Sequence, residues 1–221
     1  MIRERKIKKN IIAAGKKLAA LQLVCASSGN LSCRRDAQKI LITATGSSLG
    51  DLRPDDIVAV SLATGKSNGR RRPSSELLLH RLIYKHFSCR VVIHCHPPLT
   101  NAFFAVCRKL PVLTFEARFY LGDVPVVAQK SLTVTRPGPV IAALAQNRLV
   151  VLKNHGVVCI GKTFADTRAL IQILEEAVKI VCIARLFNKK TLDSIDRAIK
   201  SCLRRNKSPS PRWKLMRSKK V

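Results

Sequence analysis

The chain has 221 residues, of which 47% are hydrophobic, and its formal net charge at pH 7 is +28. This length and composition predict one globular domain with a full core. No apolar run approaches the ~20 residues that a membrane span needs, and no apolar segment of about 7–15 residues follows the basic N-terminus. We therefore expect neither a membrane helix nor a secretory signal, and we place the protein in the cytoplasm.

The positive charge is concentrated at the two ends of the chain. Residues 1–17 contain seven Lys and Arg against one Glu, and residues 204–220 contain eight Lys and Arg and no acidic residue. Such a charge favours anionic partners, including phosphorylated metabolites. No basic run is interleaved with a series of stacking aromatic residues, so specific nucleic-acid binding is not expected. The eight cysteines include no C-x-x-C pair, which favours reduced, mostly buried cysteines over a zinc ribbon.

Hydrophobic periodicity and turn residues predict alternating helices and short strands. The predicted elements, in chain order, are a helix over 5–27, strands over 31–33, 39–43 and 57–60, a helix over 76–87, a strand over 91–97, a helix over 99–107, strand and loop over 111–135, a helix over 137–147, strands over 149–152 and 157–160, and helices over 164–187 and 191–204. This order predicts a single α/β domain whose mostly antiparallel central sheet is flanked by helix layers. We assign residues 1–203 to this domain and 204–221 to a basic, disordered tail.

Residues 91–97 end a predicted buried strand with two histidines. His94 and His96 are two residues apart, and such residues point to the same side of a strand. Two imidazoles on one side suit a divalent transition metal, zinc first. His155 is a third histidine at a strand end, and Gly156 after it allows a positive φ. Three histidines leave one position open on zinc, as in catalytic sites. A polar strand end without a metal remains the alternative.

Two kinds of polar group accompany the histidines. Glu76 falls in the first turn of the helix over 76–87, where it is either a capping group or a proton-transfer residue beside a metal. The other kind suits an anion: turns at Asn30 and at Thr45-Gly46, and Ser74-Ser75 at the same helix N-terminus, offer amides and short polar side chains. His80 and His86, on that helix, are interpreted as packing groups or as supports for the metal ligands.

Five motifs stand in order over about residues 10–187: Gly29-Asn30-Leu31-Ser32, Leu41-Ile42-Thr43-Ala44-Thr45-Gly46, Pro73-Ser74-Ser75-Glu76 with His80, Val92-Ile93-His94-Cys95-His96-Pro97, and Asn154-His155-Gly156 followed by Gly161. In this order and spacing they resemble the class II aldolase/adducin family, and within it the L-fuculose-1-phosphate aldolases. The resemblance implies an antiparallel-rich sheet between helix layers, and a homotetramer with active sites between its subunits.

The resemblance also implies a chemistry and the residues that carry it. The activity would be cleavage of a phosphorylated ketose, such as L-fuculose 1-phosphate, to dihydroxyacetone phosphate and an aldehyde. One Zn²⁺ per subunit would be held by His94, His96 and His155, and Glu76 would serve as acid/base. The substrate phosphate would be held by Asn30, Thr45, Gly46, Ser74 and Ser75.

The sequence departs from the family pattern on the aldehyde side, where the aldolases use two tyrosines. Phe115 stands at the first of these positions, and the C-terminal tail has Trp213 and no tyrosine; Tyr84 and Tyr120 lie elsewhere. Glu116 lies where related dehydratases place a catalytic acid, which keeps a sugar-phosphate dehydratase of the methylthioribulose phosphate type open.

Two further alternatives follow from the same fold. A pentulose phosphate 4-epimerase would typically carry Asp in place of Glu76. A non-catalytic, adducin-like protein that binds acidic partners through its basic tails would need no metal site. Metal content therefore separates the enzyme class from the binding class.

Overall fold

The computed structural model describes residues 2–67, 69–187 and 189–205. Within them, the strands are β1 Asn30–Arg34, β2 Lys39–Thr43, β3 Ile57–Ser61, β4 Val91–Cys95, β5 Val126–Ala128, β6 Leu149–Lys153 and β7 Gly156–Gly161. The α-helices are α1 Ile2–Ala20, α2 Leu77–His86, α3 Pro98–Val106, α4 Phe115–Leu121, α5 Gly138–Leu144, α6 Phe164–Phe187 and α7 Lys189–Arg205. Two short 3₁₀ helices, Leu49–Asp51 and Pro54–Asp56, connect β2 to β3.

The described strands form one sheet of seven strands in the order β3-β2-β1-β4-β7-β6-β5. Every neighbouring pair is antiparallel except β5 and β6, which run parallel at one edge. The predicted α/β fold with a mostly antiparallel sheet is thus confirmed. The short β2–β1 and β6–β7 hairpins explain the antiparallel pairs, because two strands joined by a tight turn pair with each other.

Helices cover both faces of the sheet, as expected. One face carries the larger apolar cluster, in which α1, α3 and α6 pack on the sheet through Ile11, Leu18, Phe104, Leu174 and Val178. The other face packs against α2 and α5 through Leu79, Ile83, Val140 and Leu144. Burial on both faces explains why β4 and β7 are almost continuous apolar runs, since neither face of these central strands meets water.

The sheet register brings several loops to one edge. β4 lies in the middle of the sheet, and its last residues pair with the first residues of β1 and β7: Asn30 lies opposite His94, and Val157 lies opposite Cys95. β2 ends beside the start of β1, where the amide of Leu31 donates to the Thr43 hydroxyl at 3.2 Å. The loops after β2 and β4, before β1, and between β6 and β7 therefore meet in one place.

Two element predictions differ most from the structure. The first helix ends at Ala20 rather than at residue 27, because Gln22 has a positive φ of 55°. The amide of Leu23 then donates to the Leu18 carbonyl at 3.0 Å and closes the helix end. Within 111–135, predicted as strand and loop, α4 forms after the Thr114 hydroxyl, which accepts the amide of Ala117 at 3.1 Å. Such an N-cap satisfies an otherwise unpaired helical amide.

The ends and the cysteines complete the comparison. Arg204 and Arg205, assigned to the tail, lie in α7, and the rest of the predicted tail lies outside the described residues. All eight cysteines are free thiols, and Cys33, Cys89, Cys95 and Cys159 are buried. Among the described helices, none combines the length and the apolar character that a membrane crossing requires.

Candidate active site

The loops at this edge of the sheet enclose a pocket of about 470 Å³. All nine residues predicted for the site line it: Asn30, Thr45, Gly46, Ser74, Ser75, Glu76, His94, His96 and His155. They come from five separate stretches of sequence, so the fold, not local sequence, assembles them. The pocket contains a cluster of candidate metal ligands, a buried carboxylate, and a set of amides and hydroxyls. A binding site for a polar small molecule requires such a combination.

Three imidazoles converge on one point of this pocket. Nε2 of His94 lies 3.0 Å from Nε2 of His155 and 3.0 Å from Nε2 of His96, and the three candidate ligand atoms all lie within 4.8 Å of one another. Nδ1 of His94 lies 3.0 Å from the carbonyl oxygen of Val157 and donates to it. Nε2 of His94 therefore carries the lone pair and faces the other two rings.

Burial keeps these imidazoles uncharged. It lowers the pKa of His94 well below its ordinary value, and the neighbouring His96 and His155 lower that pKa further. Burial also lowers the pKa of His96 to about 4 and lowers the pKa of His155. Three neutral ring nitrogens within a few ångströms suit a divalent transition metal, since its tetrahedral coordination spaces nitrogen ligands by about 3.3 Å. The donor set thus fits a metal ion.

His155 is presented by a strained turn, although not in the way the sequence suggested. The positive φ belongs to Asn154, at 63°, and not to Gly156; asparagine tolerates this region better than most residues. The His155 carbonyl also accepts the side-chain amide of Asn101, on α3, at 3.2 Å. The backbone of the turn that carries His155 is therefore held by a hydrogen bond from α3.

Gly156 serves close packing. A Cβ at this position would lie 2.5 Å from the Cys95 carbonyl oxygen, 2.8 Å from Cδ2 of His96 and 3.2 Å from Cε1 of His94. His94 and His96 can approach the turn that carries His155 only because no side chain separates them from it. A glycine is required wherever another backbone comes this close.

Replacing Gly156 with alanine is therefore expected to weaken metal binding at least about tenfold and to lower the free energy of unfolding by about 1–3 kcal/mol, the usual cost of overpacking. Metal retained after dialysis and denaturant unfolding measure the two effects. Gly138→Ala is the matched control, because a Cβ there meets nothing within 4 Å. Identical metal retention in the two variants would contradict this interpretation of Gly156.

Glu76 is a buried carboxyl beside the histidines. Its side chain is 4% exposed, and its Oε1 lies 3.8 Å from Nε2 of His155. The backbone amide of Val134 donates to both carboxylate oxygens, at 3.0 and 3.2 Å. Burial raises the pKa of Glu76, and the Val134 hydrogen bond opposes that rise. The carboxylate does not cap its own helix; the Ser74 hydroxyl accepts the Glu76 amide instead, at 3.2 Å.

A second wall of the pocket offers neutral donors. Thr45 and Gly46 follow β2 in an exposed turn in which Gly46 has φ 74°, and Ser74 and Ser75 precede α2. The part of the chain that the structure describes contributes no Lys or Arg to this pocket. Amides and hydroxyls at a helix N-terminus bind anions through hydrogen bonds and the helix dipole without a full positive charge.

The residues that depart from the family pattern lie outside the pocket. Phe115 and Glu116 lie on α4, and Glu116 borders a separate depression with Gln172 and Glu176 of α6. Tyr120 is exposed on α4, whereas Tyr84 is buried against the sheet. Trp213 lies outside the described residues. Within one chain, the pocket thus receives a single carboxylate, Glu76, from the described residues.

Sequence reasoning missed two contributors to the site, Val134 and Asn101, and misassigned the role of a third, Gly156. Val134 acts through its backbone amide, which leaves no signature in the sequence. Asn101, on α3, donates to the His155 carbonyl. The two residues are 54 positions apart in the sequence, so the contact cannot be predicted from it. Gly156 was identified as a glycine beside His155. That it lets the histidines approach one another becomes visible only once β4 is packed against β7. Only Gly156, as a glycine beside a candidate ligand, carried a signal.

Comparison with known protein sequences identifies the family of this chain. Residues 9–182 match the family described as Class II Aldolase and Adducin N-terminal domain. L-fuculose phosphate aldolase of Methanocaldococcus jannaschii is 33% identical over 186 residues, covering 82% of this chain and 99% of that protein. Methylthioribulose-1-phosphate dehydratase of Methylococcus capsulatus is 30% identical over 179 residues, covering 75% and 87%.

The fold comparison gives the same result. The crystal structure of L-fuculose-1-phosphate aldolase from Thermus thermophilus superposes with a TM-score of 0.73 at 28% identity, covering 85% of this chain and 96% of that one. The family match spans most of the described domain and includes every residue of the candidate site. The chain belongs to the class II aldolase and adducin N-terminal domain family.

Proposed function

We propose that the protein is a zinc-dependent lyase that cleaves a phosphorylated ketose, such as L-fuculose 1-phosphate, to dihydroxyacetone phosphate and an aldehyde. The observation that carries this proposal is the convergence of three neutral imidazoles, with a buried carboxylate 3.8 Å from one of them, in a single pocket. The similarity to L-fuculose phosphate aldolase supports the same reaction class.

The histidines would hold the metal. His94, His96 and His155 would bind one Zn²⁺ per subunit through Nε2, the nitrogen that the Val157 carbonyl leaves free on His94. Bound there, zinc would supply Lewis-acid stabilisation of the negative charge that develops on the substrate oxygens. The donation of Nδ1–H to a carbonyl fixes the His94 tautomer and ring orientation, as partners of metal-bound histidines commonly do.

Glu76 would move the proton. Cleavage of the C3–C4 bond turns the C4 hydroxyl into an aldehyde with loss of its proton. It leaves an enediolate of dihydroxyacetone phosphate, which needs a proton at the carbon that was C3 of the ketose. A carboxyl whose pKa is raised by burial holds and releases a proton closer to neutral pH than an exposed glutamate does. The Val134 amide holds the carboxylate in the pocket through hydrogen bonds to both of its oxygens. No lysine from the described residues lines the pocket, which favours this route over a Schiff base.

The substrate phosphate would lie against the neutral wall. Asn30, Thr45, Gly46, Ser74 and Ser75 would donate to its oxygens from backbone amides and side chains. The large positive charge of the chain would raise the local concentration of such a substrate without contacting it.

The assembly and location follow from the same relationship. We expect a homotetramer in the cytoplasm, with no nucleic-acid partner. Exposed aromatic side chains at Phe115, Phe119 and Tyr120 on α4 support an interface there, because their exposure is costly in a monomer. A second subunit packed at α4 would also bring Phe115 and Glu116 near an active site.

A sugar-phosphate dehydratase is the second candidate, supported by the similarity to methylthioribulose-1-phosphate dehydratase. It would use Glu116 as a second carboxylate, but this residue lies outside the pocket of its own chain. A 4-epimerase is disfavoured by Glu76. An adducin-like binding protein would have no use for three converging imidazoles.

Product analysis separates these candidates. The zinc-loaded protein is incubated with L-fuculose 1-phosphate, L-ribulose 5-phosphate and methylthioribulose 1-phosphate, and the products are followed by NMR and by enzymatic detection of dihydroxyacetone phosphate. We expect dihydroxyacetone phosphate and an aldehyde from the first substrate. Loss of water from methylthioribulose 1-phosphate would make the protein a dehydratase. Metal-loaded protein that changes none of the three would favour a binding protein.

A further inference from the structure

A buried row of polar side chains joins β1 to α2 beneath the pocket. Asn30 and Ser32 lie two residues apart on β1 and face the same side of the sheet, and His80 and Tyr84 lie one turn apart on α2. His80 and Ser32 are 0% exposed and Tyr84 is 3% exposed. The surrounding interface is apolar, with Ile42, Leu79, Ile83 and Val92, so the row costs free energy unless each member is paired.

The distances connect the row into a single chain of hydrogen bonds. Tyr84 Oη lies 2.9 Å from Ser32 Oγ, Ser32 Oγ lies 2.6 Å from His80 Nδ1, and His80 Nε2 lies 2.6 Å from Asn30 Oδ1. Only Asn30 reaches the pocket, where it lines the wall beside Gly29 and Ser28. The buried row therefore begins in the core and ends at the candidate phosphate site.

The hydrogen bonds of this buried row all have the same donor-to-acceptor direction, from Tyr84 toward Asn30. Burial lowers the pKa of His80 to about 3, so the neutral ring has one donor and one acceptor nitrogen. The Tyr84 hydroxyl is nearer to Ser32, at 2.9 Å, than to the Arg90 carbonyl, at 3.4 Å, and we assign its proton to Ser32. Ser32 then donates to Nδ1 of His80, and Nε2–H of His80 donates to Oδ1 of Asn30.

This direction decides which end of the Asn30 amide faces the pocket. With Oδ1 engaged by His80, the NH₂ group is directed away from the ring, and it has no hydrogen-bond partner among the described residues. The pocket receives no Lys or Arg from those residues. A neutral NH₂ donor held in one orientation therefore contributes more to the binding free energy of an anion here than it would beside a cation.

We propose that His80 is a positioning residue that holds the Asn30 amide with its NH₂ group toward a phosphate in the pocket. This inference rests on the phosphate site of the proposed function but not on bond cleavage. It corrects the simpler interpretation of His80 as a packing group or support for the metal ligands, because the ring bonds Ser32 and Asn30. Without His80, the amide would rotate freely or turn its oxygen toward the anion.

Two substitutions at His80 separate positioning from packing. Glutamine places its amide nitrogen near the former Nε2 and can still donate to Asn30, whereas asparagine reaches only the former Nδ1. Binding of inorganic phosphate to the full-length, metal-loaded protein is measured by isothermal titration, with denaturant unfolding as the check on folding. We expect His80→Asn and Asn30→Ala each to weaken phosphate binding by about tenfold, and His80→Gln by no more than about threefold.

The double variant, His80→Asn with Asn30→Ala, tests whether His80 acts on phosphate binding through Asn30. If His80 acts through Asn30, adding His80→Asn to Asn30→Ala changes phosphate affinity by less than about twofold. A further tenfold loss would overturn the proposal, as would unchanged affinity in Asn30→Ala, equal losses in the two His80 variants, or no phosphate binding by the wild type. Should His80→Asn fail to fold, Ser32→Ala replaces it: it removes the donor to Nδ1 with little change in packing, and unchanged phosphate affinity would then overturn the proposal.

The phosphate-binding measurement also tests the role of His80 independently of the proposed lyase activity. Phosphate binding at equilibrium requires no turnover. Protein that binds phosphate through Asn30 and His80 but cleaves no ketose phosphate would contradict the lyase and support the positioning role. Protein that cleaves the substrate but shows no His80 effect would do the reverse.

Discussion

Replacing Glu76 with glutamine is expected to lower kcat for ketose phosphate cleavage by about 10²–10⁴-fold, the usual contribution of a positioned acid or base. The carboxamide has the same shape and keeps an oxygen that can accept the Val134 amide, so the pocket should remain intact. It cannot accept and return the proton of the carbon that was C3 of the ketose. Metal content and phosphate affinity are expected to stay within about twofold of the wild type, and steady-state kinetics measure the loss.

Glu4→Gln is the matched control for this change. Glu4 lies on α1, where it pairs with Arg35 at 2.8 Å and contributes nothing to the pocket. Its variant should retain wild-type kcat. If Glu76→Gln were as active as Glu4→Gln, the carboxylate would not carry the proton, and the mechanism would need another base.

Removing the His155 imidazole is expected to have the second large effect, a loss of zinc affinity. His155→Ala should weaken zinc binding at least about a hundredfold, beyond the 10–100-fold typical of residues that only support a ligand. Zinc at about 100 times its Kd should raise the free energy of unfolding of the wild type by about 2.7 kcal/mol. The same concentration should leave the variant almost unchanged. Zinc titration and thermal unfolding measure the two quantities.

His86→Ala provides the comparison, since His86 is exposed near the end of α2 and lies outside the pocket. It should bind zinc as the wild type does. Equal zinc affinity in His155→Ala and His86→Ala would mean that the three converging imidazoles do not form the metal site.

The strands and the histidine cluster were accessible from the sequence for physical reasons. The apolar run before His94 marks a strand buried on both faces, and its period of two puts His94 and His96 on one side. His155 stands at the end of the neighbouring hairpin, so the antiparallel register brings it to the same edge. Side chains that carry chemistry at strand ends can therefore be recognised from the sequence.

The contributors that escaped prediction act in ways that leave no pattern. Val134 offers only a backbone amide to Glu76, and any non-proline residue could do so. The early end of α1 depends on left-handed backbone at Gln22, a residue type that rarely adopts it. The link from His80 to Asn30 required the packing of α2 against β1, since neither residue predicts the other.

The most direct measurement follows release of dihydroxyacetone phosphate from L-fuculose 1-phosphate by three samples of one preparation: protein as purified, protein after chelator treatment, and treated protein after one equivalent of Zn²⁺ per chain. We predict that activity is lost with the metal and restored by zinc. Full activity after the metal has been removed would contradict a metal-dependent lyase. Stoichiometric zinc without cleavage of this or any other ketose phosphate would contradict the aldolase and leave the dehydratase.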